Sequence, residues 1–150
     1  MTSAQPIIDD PTLGRLTRAE TTLDDGDTVI HDWYAASIPH DDRELDLIVD
    51  GADIDAVRAL LPRARALVTD IDGIRRRAAD AVFTRFSDAD PTSAELDAGA
   101  TDLQLDAIEV TTDETVLHFT DACGEHFPTG YWPAAHLSPD GEVQDVTVES

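Results

Sequence analysis

Apolar residues recur at steps of three and four along one continuous stretch of the chain, from Ile54 to Phe86. This spacing places them on one stripe of an α-helix, and it is the feature that most restricts the fold. Pro62 and Gly73 interrupt the stripe, because a proline inside a helix removes a hydrogen bond and a glycine weakens the helix. The stretch therefore predicts a long helical segment, kinked or restarted at Pro62, with Gly73 as a joint between two packed helices.

Strand patterns flank this helical segment on both sides. They combine β-branched and aromatic residues with alternating polarity, and turn residues separate them. A carboxylate of Asp53 or Asp55 is placed to cap the start of the helical segment, and Thr92 opens a short helix with a capping-box pattern. In the last strand pair, the turn at 138–141 (Ser-Pro-Asp-Gly) suits a type I turn. The predicted strands are residues 29–38, 44–49, 103–110, 115–120, 131–137 and 143–148. Residues 13–18, which alternate poorly, are a candidate for a first short strand.

The order of strands, helices and strands indicates an α+β fold. A mostly antiparallel sheet would have one face covered by the long, kinked or broken helical segment and by the short helix. A chain of 150 residues is near the commonest size for one domain and needs no disulfide or metal to fold. Residues 1–12 are polar with two prolines, so they are expected to form a flexible N-terminal arm, and residues 13–150 a single α+β domain.

The charge of the chain is strongly one-sided. It has 32 acidic residues and 10 basic ones, all arginine, for a formal net charge of −22. A field of this sign repels DNA, RNA and anionic membranes, so nucleic-acid and membrane partners are excluded. A basic protein partner, solubility alone and adaptation to high salt all remain compatible with it.

The sequence also restricts the cellular context and the cofactors. The N-terminus lacks the basic residues and apolar core of a signal peptide, and no apolar run approaches the about 20 residues of a spanning helix, so a cytoplasmic location is expected. Cys123 is the only cysteine, which excludes an internal disulfide. No phosphate-binding glycine-rich loop or complete calcium loop occurs, and no cofactor is expected.

Rare residue types gather between the strands 115–120 and 131–137. The best set of metal ligands is His118, Cys123, His126 and His136, because a Cys-x-x-His pair grips zinc and a histidine from each flanking strand completes a tetrahedron. A structural zinc site usually has two tight ligand pairs and this segment has one, so the four residues are weak candidates and no metal is assigned. The alternative is that these histidines are ordinary polar sheet residues.

A thiol site is a further alternative in the same segment. Cys123 would be the nucleophile, His118 or His126 its base, and Asp121 the group that orients the base. The acidic surroundings disfavour a thiolate, and no oxyanion donors are visible in the sequence. No catalytic residue is therefore assigned.

Two pairs of adjacent aromatic residues, Trp33-Tyr34 and Tyr131-Trp132, suggest contact with a partner. Neighbours on a strand face opposite sides, so one ring of each pair can be buried while the other is exposed. An exposed ring surrounded by acids is a suitable anchor for a basic protein. The alternative is that both pairs only join the sheet to the helices. The candidate partner-binding residues are Trp33, Tyr34, Asp121, Glu125, Tyr131 and Trp132.

Four features occur along the chain in a recognisable order: the stretch Asp32-Trp33-Tyr34-x-x-x-Ile38, the leucine-rich helix from Ile54, the stretch Leu103-x-Leu105-x-x-Ile108-x-Val110, and the hairpin 121–148 with its Pro-Asp-Gly turn. In these features the chain resembles small uncharacterised bacterial domains of unknown function. Some such acidic proteins are encoded near secreted toxins and look like immunity proteins. The resemblance covers about residues 13–148 and implies a cytoplasmic α+β protein without a demonstrated active site.

The sequence therefore favours a non-enzymatic, acidic, immunity-like binding protein. Such a protein would neutralise a basic protein partner by electrostatic complementarity. Two alternatives stay open. One is a metal-binding or thiol-dependent enzyme centred on residues 118–136, and the other is a structural subunit of a larger assembly. The oligomeric state and the strand order do not follow from the sequence.

Overall fold

A computed structural model of the chain describes residues 6–40, 42–122 and 126–149. Its main element is an eight-stranded sheet whose strands lie side by side in chain order. Neighbouring strands are antiparallel, except that β4 and β5 run parallel. The strands are β1 (Ile8–Asp10), β2 (Gly14–Thr22), β3 (Thr28–His40), β4 (Arg43–Asp50), β5 (Leu103–Val110), β6 (Thr115–Asp121), β7 (Trp132–Leu137) and β8 (Val143–Glu149).

Three helices lie between β4 and β5 in the chain. They are α1 (Ile54–Thr69), α2 (Ile71–Phe86) and α3 (Ser93–Asp102). A hairpin cannot join parallel neighbours, so a crossover connection is required, and these helices supply it. The parallel register pairs Asp46 with Ala107 and Val49 with Val110.

The predicted fold class is wrong in two respects. No long helical segment covers the sheet, because residues 54–86 form two separate helices of 16 residues each and α3 has only 10. The sheet is mixed, because the β4–β5 pair is parallel. β2 overlaps the candidate first strand at residues 13–18, and β1 is a further strand that the sequence pattern does not indicate.

The boundary between the first two helices is Asp70, which ends α1 and precedes α2. Its backbone, at φ −108° and ψ 35°, leaves the helical region, and its N–H donates to Ala66 O at 3.1 Å. Pro62 lies inside α1 and Gly73 inside α2, so neither marks the break. The apolar stripe continues across Asp70 because Leu67 and Ile74 on either side bury into the same core.

Local signals for helix starts and for the last turn are confirmed. Asp53 Oδ1 accepts from the Ala56 N–H at 2.8 Å and caps α1. At α3, Thr92 Oγ1 accepts from the Glu95 N–H and Glu95 Oε1 accepts from the Thr92 N–H, both at 3.2 Å, which is a complete capping box. In the turn 138–141 the last N–H donates to the first carbonyl at 2.8 Å.

The helices pack against one face of the sheet. The strand residues in their core alternate along the chain and include Leu45, Leu47, Val49, Ile108, Val110, Leu117, Leu137 and Val146. The intervening residues lie on the other face, which the three described helices leave uncovered and which we call the open face. By register the open face carries Ala35, Asp46, Ile48, Ala107, Glu109, Val116, His118, Trp132, Ala134, His136, Asp145, Thr147 and Glu149.

Part of the predicted arm is docked on the sheet, since β1 pairs with β2 and Ile8 is buried. Asp10 is buried beside it, and its Oδ2 accepts from Arg65 Nε at 2.7 Å. Burial alone raises the pKa of Asp10, but hydrogen bonds from the Leu13 N–H, the Arg65 side chain and the Thr12 N–H outweigh burial and hold the pKa below its ordinary value. The division into residues 1–12 and 13–150 remains a prediction.

Candidate partner-binding site

The arginines are concentrated in the helical layer. No arginine follows Arg85 in the chain, and the ionisable side chains of β5 to β8 are carboxylates and histidines. Many of the helical arginines are engaged within the molecule. Arg63, for example, donates to the Thr111 carbonyl at 2.6 Å, and Arg76 pairs with Asp97 at 2.6 Å. The arginines of α1 and α2 are Arg58, Arg63, Arg65, Arg75, Arg76, Arg77 and Arg85.

The open face is consequently acidic over strands β4 to β8. Asp46 and Asp145 are exposed there, and Glu109 and Glu149 are partly exposed. Arg43 reaches this region from the start of β4 and pairs with Asp106 Oδ1 at 2.8 Å. The face therefore presents several carboxylates to solvent and one paired arginine at its border.

A hydrogen-bonded group of three side chains lies on this face. The Trp132 Nε1–H donates to His118 Nδ1 at 3.2 Å, and His118 Nε2 lies 3.3 Å from Glu109 Oε1. An indole nitrogen can only donate, so Nδ1 must accept and the imidazole proton must be on Nε2. His118 thereby joins Trp132 to Glu109, and the hydrogen bond to His118 orients the Trp132 ring.

His136 lies on β7, diagonal to His118, and contacts a different carboxylate, that of Glu114. His136 Nδ1 lies 3.2 Å from Glu114 Oε1, and its Nε2 lies 2.9 Å from Thr147 Oγ1. Thr147 in turn donates to Glu149 at 3.0 Å. The register pairs His118 with Ala134 and His136 with Val116, so the two histidines are diagonal neighbours bound to different acids.

A groove opens beside Trp132 where the sheet meets the loop before β7. It has a volume of about 580 Å³, within the range of small-ligand sites. We define this Trp132 groove by the side chains of Asp106, His118, Thr120, Asp121, Phe127, Tyr131 and Trp132. Its lining combines aromatic rings with two carboxylates and contains no arginine.

The candidate aromatic residues have different environments. Tyr34 is 1% exposed and its hydroxyl donates to Pro6 O, so it belongs to the core and offers no contact surface. Trp33 lies on the other side of β3 and stacks on His31 with ring centroids 4.3 Å apart. Tyr131 is 51% exposed and lines the Trp132 groove together with Trp132. Only the second pair is therefore brought together at one cavity.

Of the two candidate acids beside these rings, Asp121 is among the described residues and Glu125 is not. Asp121 Oδ2 accepts from the backbone N–H groups of His126 and Phe127, at 2.7 and 3.0 Å, and so shapes the end of the loop. Glu125 lies outside the described residues, as does Cys123. The thiol site predicted on Cys123 is thus neither assembled nor tested by the described part of the chain.

The weak metal candidates are not brought together by the described residues. His118 and His136 are on the open face, whereas His126 packs edge-on against Phe83 of α2 and binds Asp102 at 3.0 Å, on the helical side. Within residues 6–40, 42–122 and 126–149, no group of three His, Cys, Asp or Glu side chains is placed to hold a metal ion.

Sequence reasoning missed Glu109 and Asp106, which the fold brings to the open face and the Trp132 groove. A signal for Glu109 was available, because Glu109 alternates with Ile108 and Val110 and therefore faces away from the core. Asp106 had no such signal. It lies at a register shift between Leu105 and Ala107, which no alternation pattern reveals.

Comparison of the chain with known proteins identifies no relative. No family model, curated protein or solved structure matches the chain. None of the helices in the described ranges combines the length and the apolar character needed to cross a bilayer.

Proposed function

We propose that the protein is a non-enzymatic, immunity-like binding protein that neutralises a basic protein partner with its open face. The observation that carries the proposal is the separation of charge in the fold. The helical layer holds most of the arginines, and the uncovered face over β4 to β8 presents Asp46, Glu109, Asp145 and Glu149. A cytoplasmic location is part of the same proposal.

The physical mechanism is complementarity of charge over a broad surface. Opposite potentials steer two proteins together and raise association rates from about 10⁵–10⁶ to as much as ~10⁸–10⁹ M⁻¹s⁻¹ at low salt. Exposed charges are screened beyond about 8 Å at physiological ionic strength. Binding should therefore weaken steeply with added salt, chiefly through slower association.

A charge-reversal pair tests which surface is responsible. In the first variant Asp46→Lys and Asp145→Lys reverse two exposed acids on the open face, and in the matched control Asp88→Lys and Asp90→Lys reverse two exposed acids between α2 and α3. Both variants change the net charge by the same amount. Immobilised wild type and both variants are used to capture proteins from the native lysate, and captured proteins are purified for titration calorimetry.

The expected result is a basic protein retained by wild type and by the control but lost by the open-face variant. Its affinity should fall about tenfold or more on open-face reversal, equivalent to ~1.4 kcal/mol or more. If no basic protein is captured, if both variants bind equally, or if affinity is insensitive to salt, the proposal is wrong.

A further inference from the structure

The Trp132 groove is an open depression with the size of a binding site. Its volume of about 580 Å³ accommodates a side chain inserted from a partner. It lies on the same face as the exposed acids of the proposed interface, because His118 and Trp132 are open-face residues. An anchoring side chain of the partner would thus reach the groove while the broader surfaces meet.

The aromatic part of the groove is held in place. The indole N–H of Trp132 is bound to His118, and His118 is bound to Glu109, so the ring is fixed before any ligand arrives. Tyr131, the preceding residue, is half exposed at the edge of the groove. A cation within about 6 Å of such a ring face is attracted by the ring quadrupole, and a planar guanidinium also stacks on it.

The acidic part of the groove is held in place as well. Asp106 lines the groove, and it accepts from Arg43 at Oδ1 and from the Thr120 hydroxyl at Oδ2, which orients its carboxylate. Asp121 brings the second carboxylate and is oriented by two backbone N–H groups of the loop. Arg43 pairs with Asp106 from outside the groove lining.

We propose that the Trp132 groove receives the guanidinium group of an arginine side chain of the basic partner, stacked against Trp132 and Tyr131 and attracted by Asp106 and Asp121. This assignment rests on the proposed function. It goes beyond it by naming the residue type that the site selects and the cavity that selects it. A lysine, with a compact and strongly hydrated charge, gains less from the aromatic surface.

The test uses N-acetyl-arginine amide as the probe and the Trp132 indole N–H as the reporter. In a Trp33→Phe background Trp132 is the only tryptophan, so its ¹H–¹⁵N signal is unambiguous. N-acetyl-citrulline amide has the same planar shape without the charge, and N-acetyl-lysine amide has the charge without the plane. A saturable shift with the arginine probe is expected, a weaker affinity for lysine, and no saturable shift with citrulline.

Two variants connect the shift to the groove. Tyr131→Ala is expected to weaken binding of the arginine probe about three- to thirty-fold. Leu23→Ala, which removes a comparably exposed side chain at the β2–β3 turn, should leave it unchanged. Circular dichroism confirms that both variants remain folded.

Citrulline equal to arginine, lysine equal to or tighter than arginine, or an unchanged affinity in Tyr131→Ala would each overturn the groove assignment. The proposed function would survive those results if the captured partner still lost affinity on reversal of Asp46 and Asp145. Conversely, arginine binding in the groove without any captured basic protein would overturn the proposed function and leave the cation site standing.

Discussion

Two helical glycines offer a direct test of how α3 packs on α2. A Cβ at Gly99 of α3 would lie 2.4 Å from Phe83 Cε2 and 2.5 Å from Cδ2, whereas carbon atoms normally approach to about 3.5–4.0 Å. A Cβ at Gly73 of α2 would lie 2.6 Å from Asp70 Oδ1, an exposed carboxylate that can rotate away. The same substitution, glycine to alanine, is thus expected to have opposite effects at the two positions.

The magnitudes follow from two opposing contributions. Replacing glycine by alanine in a helix stabilises the protein by up to about 1 kcal/mol, through the entropy of the unfolded chain. Overpacking a filled contact costs about 1–3 kcal/mol. His126 packs edge-on against the Phe83 ring, with ring centroids 4.9 Å apart, and opposes its displacement. We therefore expect Gly73→Ala to be stabilising by about 0.5–1 kcal/mol and Gly99→Ala to be destabilising by up to ~2 kcal/mol.

Urea unfolding followed by tryptophan fluorescence measures both values, and thermal midpoints should differ in the same order, by about 2–4 °C per kcal/mol in a domain of this size. Phe83→Leu provides the control, since removing the ring should abolish most of the cost of Gly99→Ala. The double variant should therefore be less destabilised than the sum of the two single variants. A Gly99→Ala protein as stable as Gly73→Ala, or a cost that persists with Phe83→Leu, would refute the close packing of α3 on α2.

Three further predictions concern Asp10, Thr92 and the effect of added zinc. Asp10→Ala should lower the free energy of unfolding at neutral pH by about 1.5–3 kcal/mol, against under 1 kcal/mol for the exposed neighbour in Asp9→Ala. Because the folded-state pKa of Asp10 lies below its ordinary value of 3.8, the loss should shrink as the pH falls below that value in acid-unfolding titrations, and a pH-independent loss would contradict it. Thr92→Ala should cost about 1 kcal/mol in urea unfolding through loss of the capping box, and no change would show that the cap is not formed in solution. Added zinc should leave the thermal midpoint unchanged, and stoichiometric zinc by elemental analysis would restore the metal hypothesis for residues 118–136.

Features of the fold that depend on residues close together in the chain could be predicted, and features that depend on distant residues could not. Caps and tight turns are decided by residues three or four apart, so Asp53, Thr92 and the turn at 138–141 were readable. The break at Asp70 was not, because the burial pattern is continuous and no proline or glycine marks the position. The parallel pairing of Asp46 with Ala107 joins residues far apart in the chain, and no local pattern encodes it.

For the candidate site, too, local features could be predicted from the sequence and long-range ones could not. Alternation along a strand places His118 on the side opposite Leu117 and Phe119, and the register puts it on the open face. Whether His136 lies beside it required the β6–β7 register, which only the fold supplies. Alternation also predicts that Trp33 and Tyr34 face opposite sides, but it does not say which is buried, and Tyr34 proved to be the core residue.

The uncovered face is a consequence of the strand connections. A sheet whose strands follow chain order is joined by hairpins, which add no layer to either face, apart from the single crossover between β4 and β5. All three helices belong to that crossover, so they cover one face together. Eight strands leave a second face of equal extent, and its residues must tolerate water or meet another molecule. The small residue Ala107 near its centre, the carboxylates around it and the groove at one end suit the close approach of the charged partner proposed above.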